Sequence, residues 1–229
     1  MDNSAAYCRH MRDVYTDQLD SIFSDLAAIC RRVETAVERA THALMTGDAA
    51  VAERVISDDI EIDRARERVE EVAFSLLSLQ QPVAGDLRTI VAALRMVSEL
   101  ERMGDLSVHV AKVARLRVPD VAVPDQVRPT VAQMATVAQS MVGRVCEVIL
   151  SRDVESAIAL GRADEEMDSL RRRSFSELLG DDWSYGVEAA VDVALLGRYY
   201  ERIADHAVSI ANRVVFVVTG HNPAALASD

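Results

Sequence analysis

Apolar residues recur at helical spacing through long segments of the chain that contain almost no glycine or proline. Between residues 49 and 79, for example, Val55, Ile62, Val69 and Leu76 follow one another at intervals of seven residues. Short breaks such as Gly47-Asp48 separate these segments, because they combine a residue that ends one helix with one that caps the next. The pattern predicts six helices, over residues 17–46, 49–79, 87–117, 130–151, 154–179 and 186–219.

The second half of the chain repeats the first, which is the signature of an internal duplication. The matches between the first and second helical units are Asp48 with Asp153, Asp59 with Asp164, Asp63 with Asp168, Glu101-Arg102 with Glu201-Arg202, and Asp105 with Asp205. The first and fourth helices match in pattern more than in identity. We therefore predict an all-α fold of two tandem three-helix bundles with antiparallel neighbours. The predicted organisation is an N-terminal extension (1–16), a first bundle (17–117), a proline-rich linker (118–129), a second bundle (130–220) and a tail (221–229).

Composition removes several classes of protein. Only 9 glycines, 5 prolines and 4% aromatic residues argue against a sheet protein, while 50% hydrophobic residues supply a core. A net charge of -12 disfavours nucleic acid and anionic membrane surfaces as partners. No apolar run approaches the ~20 residues of a transmembrane segment. The three cysteines lie far apart and form no CxxC pair, which is typical of a reducing cytoplasm.

Some of the surplus carboxylates fall where a helix should be apolar. On a helical wheel of residues 87–117, Glu101 lies inside the apolar arc and Asp105 lies at its edge, and Glu201 and Asp205 repeat this in the last helix. A carboxylate in such a position must be neutralised or liganded. The facing helices carry acidic pairs at the same i, i+4 spacing, so we expect four carboxylates to converge in each bundle. The facing pairs are Asp59 with Asp63 and Asp164 with Asp168.

Two interpretations of these acids remain open. Convergent carboxylates are hard ligands that suit Mg²⁺, Mn²⁺, Ca²⁺ or iron, and less often zinc. The alternative is that Arg66, Arg68 or Arg102 pairs with them in ion-pair networks. His109 follows Asp105 by one turn and is a possible further ligand, although the second unit has Ser209 at the equivalent position.

The remaining polar and aromatic side chains have simpler expectations. His206 is expected to make a hydrogen bond or an interface contact, and Trp183 to act as a packing anchor in its loop. The chain has no glycine-rich phosphate loop, no G-x-S-x-G and no HExxH, and no histidine follows a glutamate by three residues as in di-iron helical proteins. The sequence therefore predicts that the protein is not an enzyme.

Several ordered motifs resemble the PhoU family. The segments 101–105 and 201–206 are similar to the family's repeated E(D)xxxD signature. Residues 81–88, which read QPVAGDLR, resemble its QPxAxDLR element, and residues 214–220, which read VVFVVTG, resemble its C-terminal end. Met11-Arg12 with Tyr15 resembles the family's opening motif, so the resemblance covers about residues 11 to 220.

The resemblance implies a cytoplasmic negative regulator of the phosphate-starvation response and of phosphate uptake. Its implied partners are the ATPase of a Pst phosphate ABC transporter and a PhoR-type sensor histidine kinase, and it implies a homodimer. It also implies a divalent or multinuclear metal (Fe, Zn, Mg or Mn) on the acidic faces, with ligands Glu101, Asp105, Glu201, Asp205, Asp59, Asp63, Asp164 and Asp168. The second unit has Gly186 in place of Asp86, so the two sites are expected to differ. The alternatives are a carboxylate-rich metal-storage or di-metal redox protein, and a purely structural helical adaptor.

Overall fold

The structure of the protein is a computed structural model that describes residues 3–80, 82, 84–161 and 164–221, with residues 3–16 and 79–80 described by their backbone alone. It is all-α, as predicted, and contains no strand within these residues. Its helices are α1 (Asn3–Thr46), α2 (Ala49–Asp58), α3 (Ile60–Gln80), α4 (Gly85–Arg117), α5 (Arg128–Ser151), α6 (Val154–Leu160), α7 (Asp164–Leu178) and α8 (Gly186–Thr219). Among these helices, none has the length and hydropathy together that crossing a membrane requires.

The two tandem bundles are confirmed, but the middle helix of each is broken. We predicted unbroken helices over residues 49–79 and 154–179, and the structure divides them into α2 and α3, and into α6 and α7. At the first break the carbonyl of Asp59 accepts hydrogen bonds from the amides of both Ile62 (2.8 Å) and Asp63 (3.2 Å), which turns the chain. The first helix also begins at Asn3, well before the predicted residue 17.

Matching caps fix the alignment of the two halves. Asp48 caps α2 by accepting hydrogen bonds from the amides of residues 50 and 51, and Asp153 caps α6 in the same way from residues 155 and 156. This alignment pairs buried positions of α1 with buried positions of α5. In the sequence, the correspondence between these two helices was one of pattern more than of identity. The buried residues are Leu26, Ile29, Cys30, Val33, Val37, Ala40 and Leu44, matched by Val131, Met134, Ala135, Ala138, Val142, Val145 and Ile149.

Helices α4 and α8 lie side by side and antiparallel at the junction of the two halves. At one end the guanidinium of Arg88 lies over the ring of Phe216, 5.8 Å from its centroid. At the other end Arg117 Nε donates to Asp192 Oδ2 at 2.6 Å. The order of buried and exposed residues along 91–100 is identical to that along 191–200. The two long helices are therefore equivalent elements related by an approximate two-fold.

Helices α1 and α5 meet along a buried seam that contains two cysteines. Cys30 and Cys146 form a disulfide, with their Cα atoms 5.6 Å apart. The sequence pattern, which is typical of a reducing cytoplasm, did not indicate this pairing. The duplication brings residues 116 positions apart into contact, since α1 and α5 are equivalent helices packed against each other.

Candidate functional site: two carboxylate clusters

The first cluster is built where the break between α2 and α3 packs against α4. Asp59 occupies the break, and Gly104 faces it from α4. A Cβ on Gly104 would lie 3.2 Å from Asp59 Oδ1 and 3.0 Å from Ile62 Cδ1, so a larger residue would require these side chains to shift. The absence of a side chain at this position lets the start of α3 approach α4 closely, beside Glu101 and Asp105.

Asp59 interacts electrostatically with the other three carboxylates of this cluster. Burial, followed by repulsion from Asp105, Asp63 and Glu101, raises the pKa of Asp59 to about 6 from an ordinary value of 3.8, while the positive charge of Lys112 opposes the rise. Asp59 therefore lies within electrostatic reach of the other three predicted residues of the first bundle. A cation placed among them would relieve that repulsion.

Few guanidinium groups neutralise the first cluster. Arg102 lies at its exposed edge, with Nε 3.6 Å from Glu101 Oε2 and Nη1 3.4 Å from Asp105 Oδ2. Arg66, one of the arginines expected to pair with these acids, instead donates to Glu70 at 3.4 Å. The ion-pair interpretation therefore accounts for only part of the charge in the first bundle.

The second cluster is formed by Asp164, Asp168, Glu201 and Asp205. Burial, then repulsion from Asp205, Asp168 and Glu201, raises the pKa of Asp164. The pKa of Asp205 is also raised, by burial and then by Glu201, against the opposing charges of Arg198 and His206. The four predicted residues of the second bundle thus converge as their equivalents do.

Two arginines neutralise the buried member of the second cluster. Glu201 is 6% exposed and accepts a hydrogen bond from Arg171 Nη1 at 2.5 Å and another from Arg198. The first bundle has Ser98 at the position of Arg198, and its equivalent of Arg171, Arg66, is engaged with Glu70. The second cluster therefore fits the ion-pair interpretation, whereas the first retains an excess of negative charge.

A pocket of about 650 Å³ borders the first cluster on the side of α1. Asp59 lies on one wall, and Arg31, Arg32 and Arg39 lie on the other. No sequence pattern singles out these arginines, because only the packing of α1 against the α2–α3 break brings them opposite an acid.

The two notable histidines lie at the contact between α4 and α8. His206 Nδ1 is 2.6 Å from Glu99 Oε2 on α4, which confirms the hydrogen bond that was one of the two expectations for this residue. The ring of His109 stacks on Tyr199, with centroids 5.3 Å apart, so its contact is with an aromatic ring of the other half. Trp183 packs against the core and donates from Nε1 to the carbonyl of Gly186 at 2.9 Å, as expected of a packing anchor.

The donor set of the first cluster fits a hard cation, since it offers carboxylate oxygens and surplus negative charge. Within the part of the chain that the structure describes, however, no group of three or more His, Cys, Asp or Glu side chains is gathered closely enough to hold one ion. A metal ion at this site would therefore have to draw the carboxylates together.

Comparison with known proteins follows the same division into halves. A sequence model described as the PhoU domain matches residues 26–114 and again residues 131–214. The chain belongs to the PhoU family. A Mycobacterium tuberculosis protein named phosphate-specific transport system accessory protein PhoU homolog 2 is 48% identical over 213 residues, which cover 93% of this chain and 100% of that protein. A PhoU homolog from Rhizobium meliloti is 30% identical over 93% of this chain and 91% of its own length.

Solved structures of the PhoU family share the fold. PhoU from Pseudomonas aeruginosa superposes with a TM-score of 0.82 at 26% identity, covering 90% of this chain and 100% of that one. The phosphate transport system regulatory protein PhoU from Streptococcus pneumoniae gives a TM-score of 0.82 at 24% identity, covering 91% and 98% of the two chains. The duplicated helical architecture is therefore the family's own.

Proposed function

We propose that this chain is an accessory protein of phosphate-specific transport that acts in the cytoplasm as a negative regulator of phosphate uptake and of the phosphate-starvation response. The observation that carries the proposal is the match of the PhoU domain to both halves of the chain. The names of relatives up to 48% identical over 93% of the chain, which are accessory proteins of phosphate transport, support the same role. The protein regulates by binding and carries out no catalysis of its own.

The partners in this proposal are the transporter ATPase and a PhoR-type sensor histidine kinase. Contact with the ATPase restrains phosphate import, and contact with the kinase keeps the starvation response off while phosphate is plentiful. A homodimer of the chain belongs to the same proposal.

A divalent cation at the first carboxylate cluster is a further part of the proposal. Asp59, Asp63, Glu101 and Asp105 would hold it, and the ion would supply positive charge that joins α3 to α4. The raised pKa of Asp59 supports this assignment, because it reflects burial of the carboxyl and then repulsion from three neighbouring acids, and a cation would relieve both effects. The second cluster is expected to bind more weakly, since Arg171 and Arg198 already neutralise Glu201.

The deciding experiment is a pull-down with the tagged chain, the transporter ATPase and the sensor kinase, combined with deletion of the gene. The deletion strain should express its starvation-response genes in high phosphate, and the intact chain should restore repression. If both purified partners fail to bind and the deletion strain remains repressed, the regulatory proposal is wrong.

The cation is tested separately by elemental analysis of the purified protein and of a Glu101→Ala, Asp105→Ala variant. The proposal expects about one or two divalent ions per chain, fewer in the variant. Uptake of many metal ions per chain, or redox turnover, would instead favour the metal-storage or di-metal alternative. The paired state of Glu201 argues against that alternative, because a store needs ligands that are free of arginine.

A further inference from the structure

Each half of the molecule exposes large apolar side chains on the outer face of its last helical hairpin. On α8, Val187, Val191 and Leu195 follow one another at i, i+4 spacing, and Val187 is 81% exposed. Leu179, just after α7, is 83% exposed. Exposed apolar patches of this kind are uncommon on monomeric soluble proteins and usually mark a contact surface.

These side chains form one patch because α7 and α8 are antiparallel. Ser174 Oγ lies 3.7 Å from the position of a Cβ built on Gly197, so these two residues are level with each other. Counting five residues onward along α7 and five back along α8 places Leu179 level with Asp192, next to Val191. We call the set Leu179, Val187, Val191 and Leu195 the second patch.

The first half repeats the arrangement at equivalent positions. Ile62 Cδ1 lies 3.0 Å from the position of a Cβ built on Gly104, so these two residues are level with each other. Counting twelve residues onward along α3 and twelve back along α4 places Phe74 level with residue 92, next to Val91. Phe74 is 60% exposed, and Leu87 stands one turn before Val91 on the same stripe of α4. We call Phe74, Leu87 and Val91 the first patch. The duplication has therefore kept an exposed apolar surface twice.

The relation between the two patches constrains what fits them. They lie at opposite ends of the antiparallel α4–α8 pair, where residue 88 is level with residue 216. The second patch is centred near residue 189 of α8, and the first patch is level with residue 216 of the same helix. At 1.5 Å per residue these two levels are ~40 Å apart, which is the approximate distance between the patches. A two-fold axis that exchanges two antiparallel helices is perpendicular to the layer that the helices form. Equivalent residues therefore face the same side of that layer, and so do the two patches.

Charge indicates the chemistry of the occupant. Exposed acids follow or precede each patch in the chain, namely Glu71 one turn before Phe74, and Asp181 and Asp182 two and three residues after Leu179. The face of α4 that begins at Leu87 continues to the first carboxylate cluster. Two copies of this chain meeting patch to patch would oppose acid to acid at a net charge of -12 each, so a basic partner fits better.

We propose that the two patches dock a homodimeric protein that presents the same basic amphipathic helix from each of its two subunits. One chain would then bind two partner subunits, with apolar side chains of each helix on a patch and its basic side chains along the flanking acids. The inference rests on the proposed function, since it takes a regulatory protein partner as given, and it adds the surface and the stoichiometry.

The test uses the full chain and the transporter ATPase, with affinity measured by calorimetry and mass by light scattering. The expected stoichiometry is two ATPase subunits for each copy of the chain, whether or not the chain is itself a dimer. Replacing one patch by Val187→Ser with Val191→Ser, or the other by Leu87→Ser with Val91→Ser, should weaken binding at least about tenfold, because avidity is lost. The four substitutions together should abolish the complex.

A matched control replaces Leu116→Ser and Ile158→Ser, two exposed apolar residues outside both patches, and should leave affinity within about twofold. If wild type forms the complex and the patch variants bind equally well, the docking surface is wrong while the proposed function stands. If wild type forms no complex, the inference fails together with its proposed partner. A wild-type chain that dimerises alone through residues removed in the patch variants would make a second copy the occupant and overturn the proposal.

Discussion

Arg198 donates a hydrogen bond to the buried carboxylate of Glu201, one turn further along α8. At the equivalent point of α4 the chain has Ser98, and among the described residues the ion-pair partner of Glu101 is the exposed Arg102. This exchange of serine for arginine, together with the different pairing of the equivalent Arg66 and Arg171, separates two clusters that otherwise share their acidic residues. The first cluster keeps its negative charge, and the second has most of it compensated within the protein.

Exchanging these two residues should change cation affinity in opposite directions. Ser98→Arg brings a guanidinium to Glu101 and should weaken Mn²⁺ binding at the first cluster at least about tenfold, and Arg198→Ser should strengthen it at the second. Calorimetric titration of each variant with Mn²⁺ measures both effects. Arg213→Ser, about two turns beyond Asp205 on the same helix, is the control and should change affinity little. Equal Mn²⁺ affinity in all four proteins would show that these arginines do not govern cation binding.

Asp59→Asn should stabilise the protein at neutral pH. The pKa of Asp59 is raised from 3.8 to about 6 on folding, so the folded state holds a proton more strongly than the unfolded state between these values. Wild type therefore loses stability as pH rises through that window, and a residue that cannot ionise loses none. We expect a gain of about 1 kcal/mol at pH 7, after allowance for partial exposure, and little gain at pH 3.5.

Urea unfolding at pH 3.5, 5 and 7 provides the measurement for Asp59. Asp58→Asn is the matched control, since Asp58 is the adjacent acid, is exposed, and lies 3.6 Å from Arg39. Its substitution should give no gain at any pH. A gain for Asp59→Asn that is the same at pH 3.5 and pH 7 would contradict the electrostatic explanation.

Reduction should lower the stability of the oxidised protein. The Cys30–Cys146 bond joins α1 to α5 across 116 residues of chain, and such a cross-link typically contributes about 2–4 kcal/mol by restricting the unfolded state. Denaturant titration with and without dithiothreitol measures the difference, and mass spectrometry reports the two hydrogens gained on reduction. Cys8→Ser should behave as wild type in both conditions, whereas a Cys30→Ala, Cys146→Ala variant should be insensitive to the reductant.

The fold could be predicted from the sequence because helical periodicity is visible within a single segment, and duplication is visible when one half of the chain is compared with the other. The six predicted helices and their division into two bundles needed only apolar spacing, caps and matched residues such as Asp48 and Asp153. The break at Asp59 was missed because no glycine or proline marks it. The turn depends on hydrogen bonds to the carbonyl of Asp59 and on its packing beside Gly104, and neither is visible in a linear pattern.

The sequence indicated which acidic residues belong to the candidate site. It did not indicate which of those acids are neutralised by arginines. Periodicity placed Glu101 and Glu201 on apolar arcs, and the duplication paired their neighbours. Which arginine reaches which acid depends on side-chain reach between helices: Arg171 pairs with Glu201, whereas its equivalent Arg66 pairs with Glu70. The cysteine pair was missed for a similar reason, because the crossing of α1 and α5 is a tertiary contact.

A hydrogen bond between Thr41 and Tyr200 should couple the two halves energetically. The two hydroxyl oxygens are 2.9 Å apart, and Tyr200, on α8, is fully buried against α1 of the other half. Tyr200→Phe removes one hydroxyl and leaves the other without its partner, so each single substitution should cost about 1 kcal/mol. A double-mutant cycle with Thr41→Val should return a coupling energy of about 1 kcal/mol, measured by urea unfolding. The cycle of Tyr200→Phe with Thr136→Val, an exposed threonine on α5, is the control and should be additive. A Thr41 cycle that is additive as well would mean that the bond adds nothing to the junction, which would then depend on apolar packing and on the ion pairs between α4 and α8.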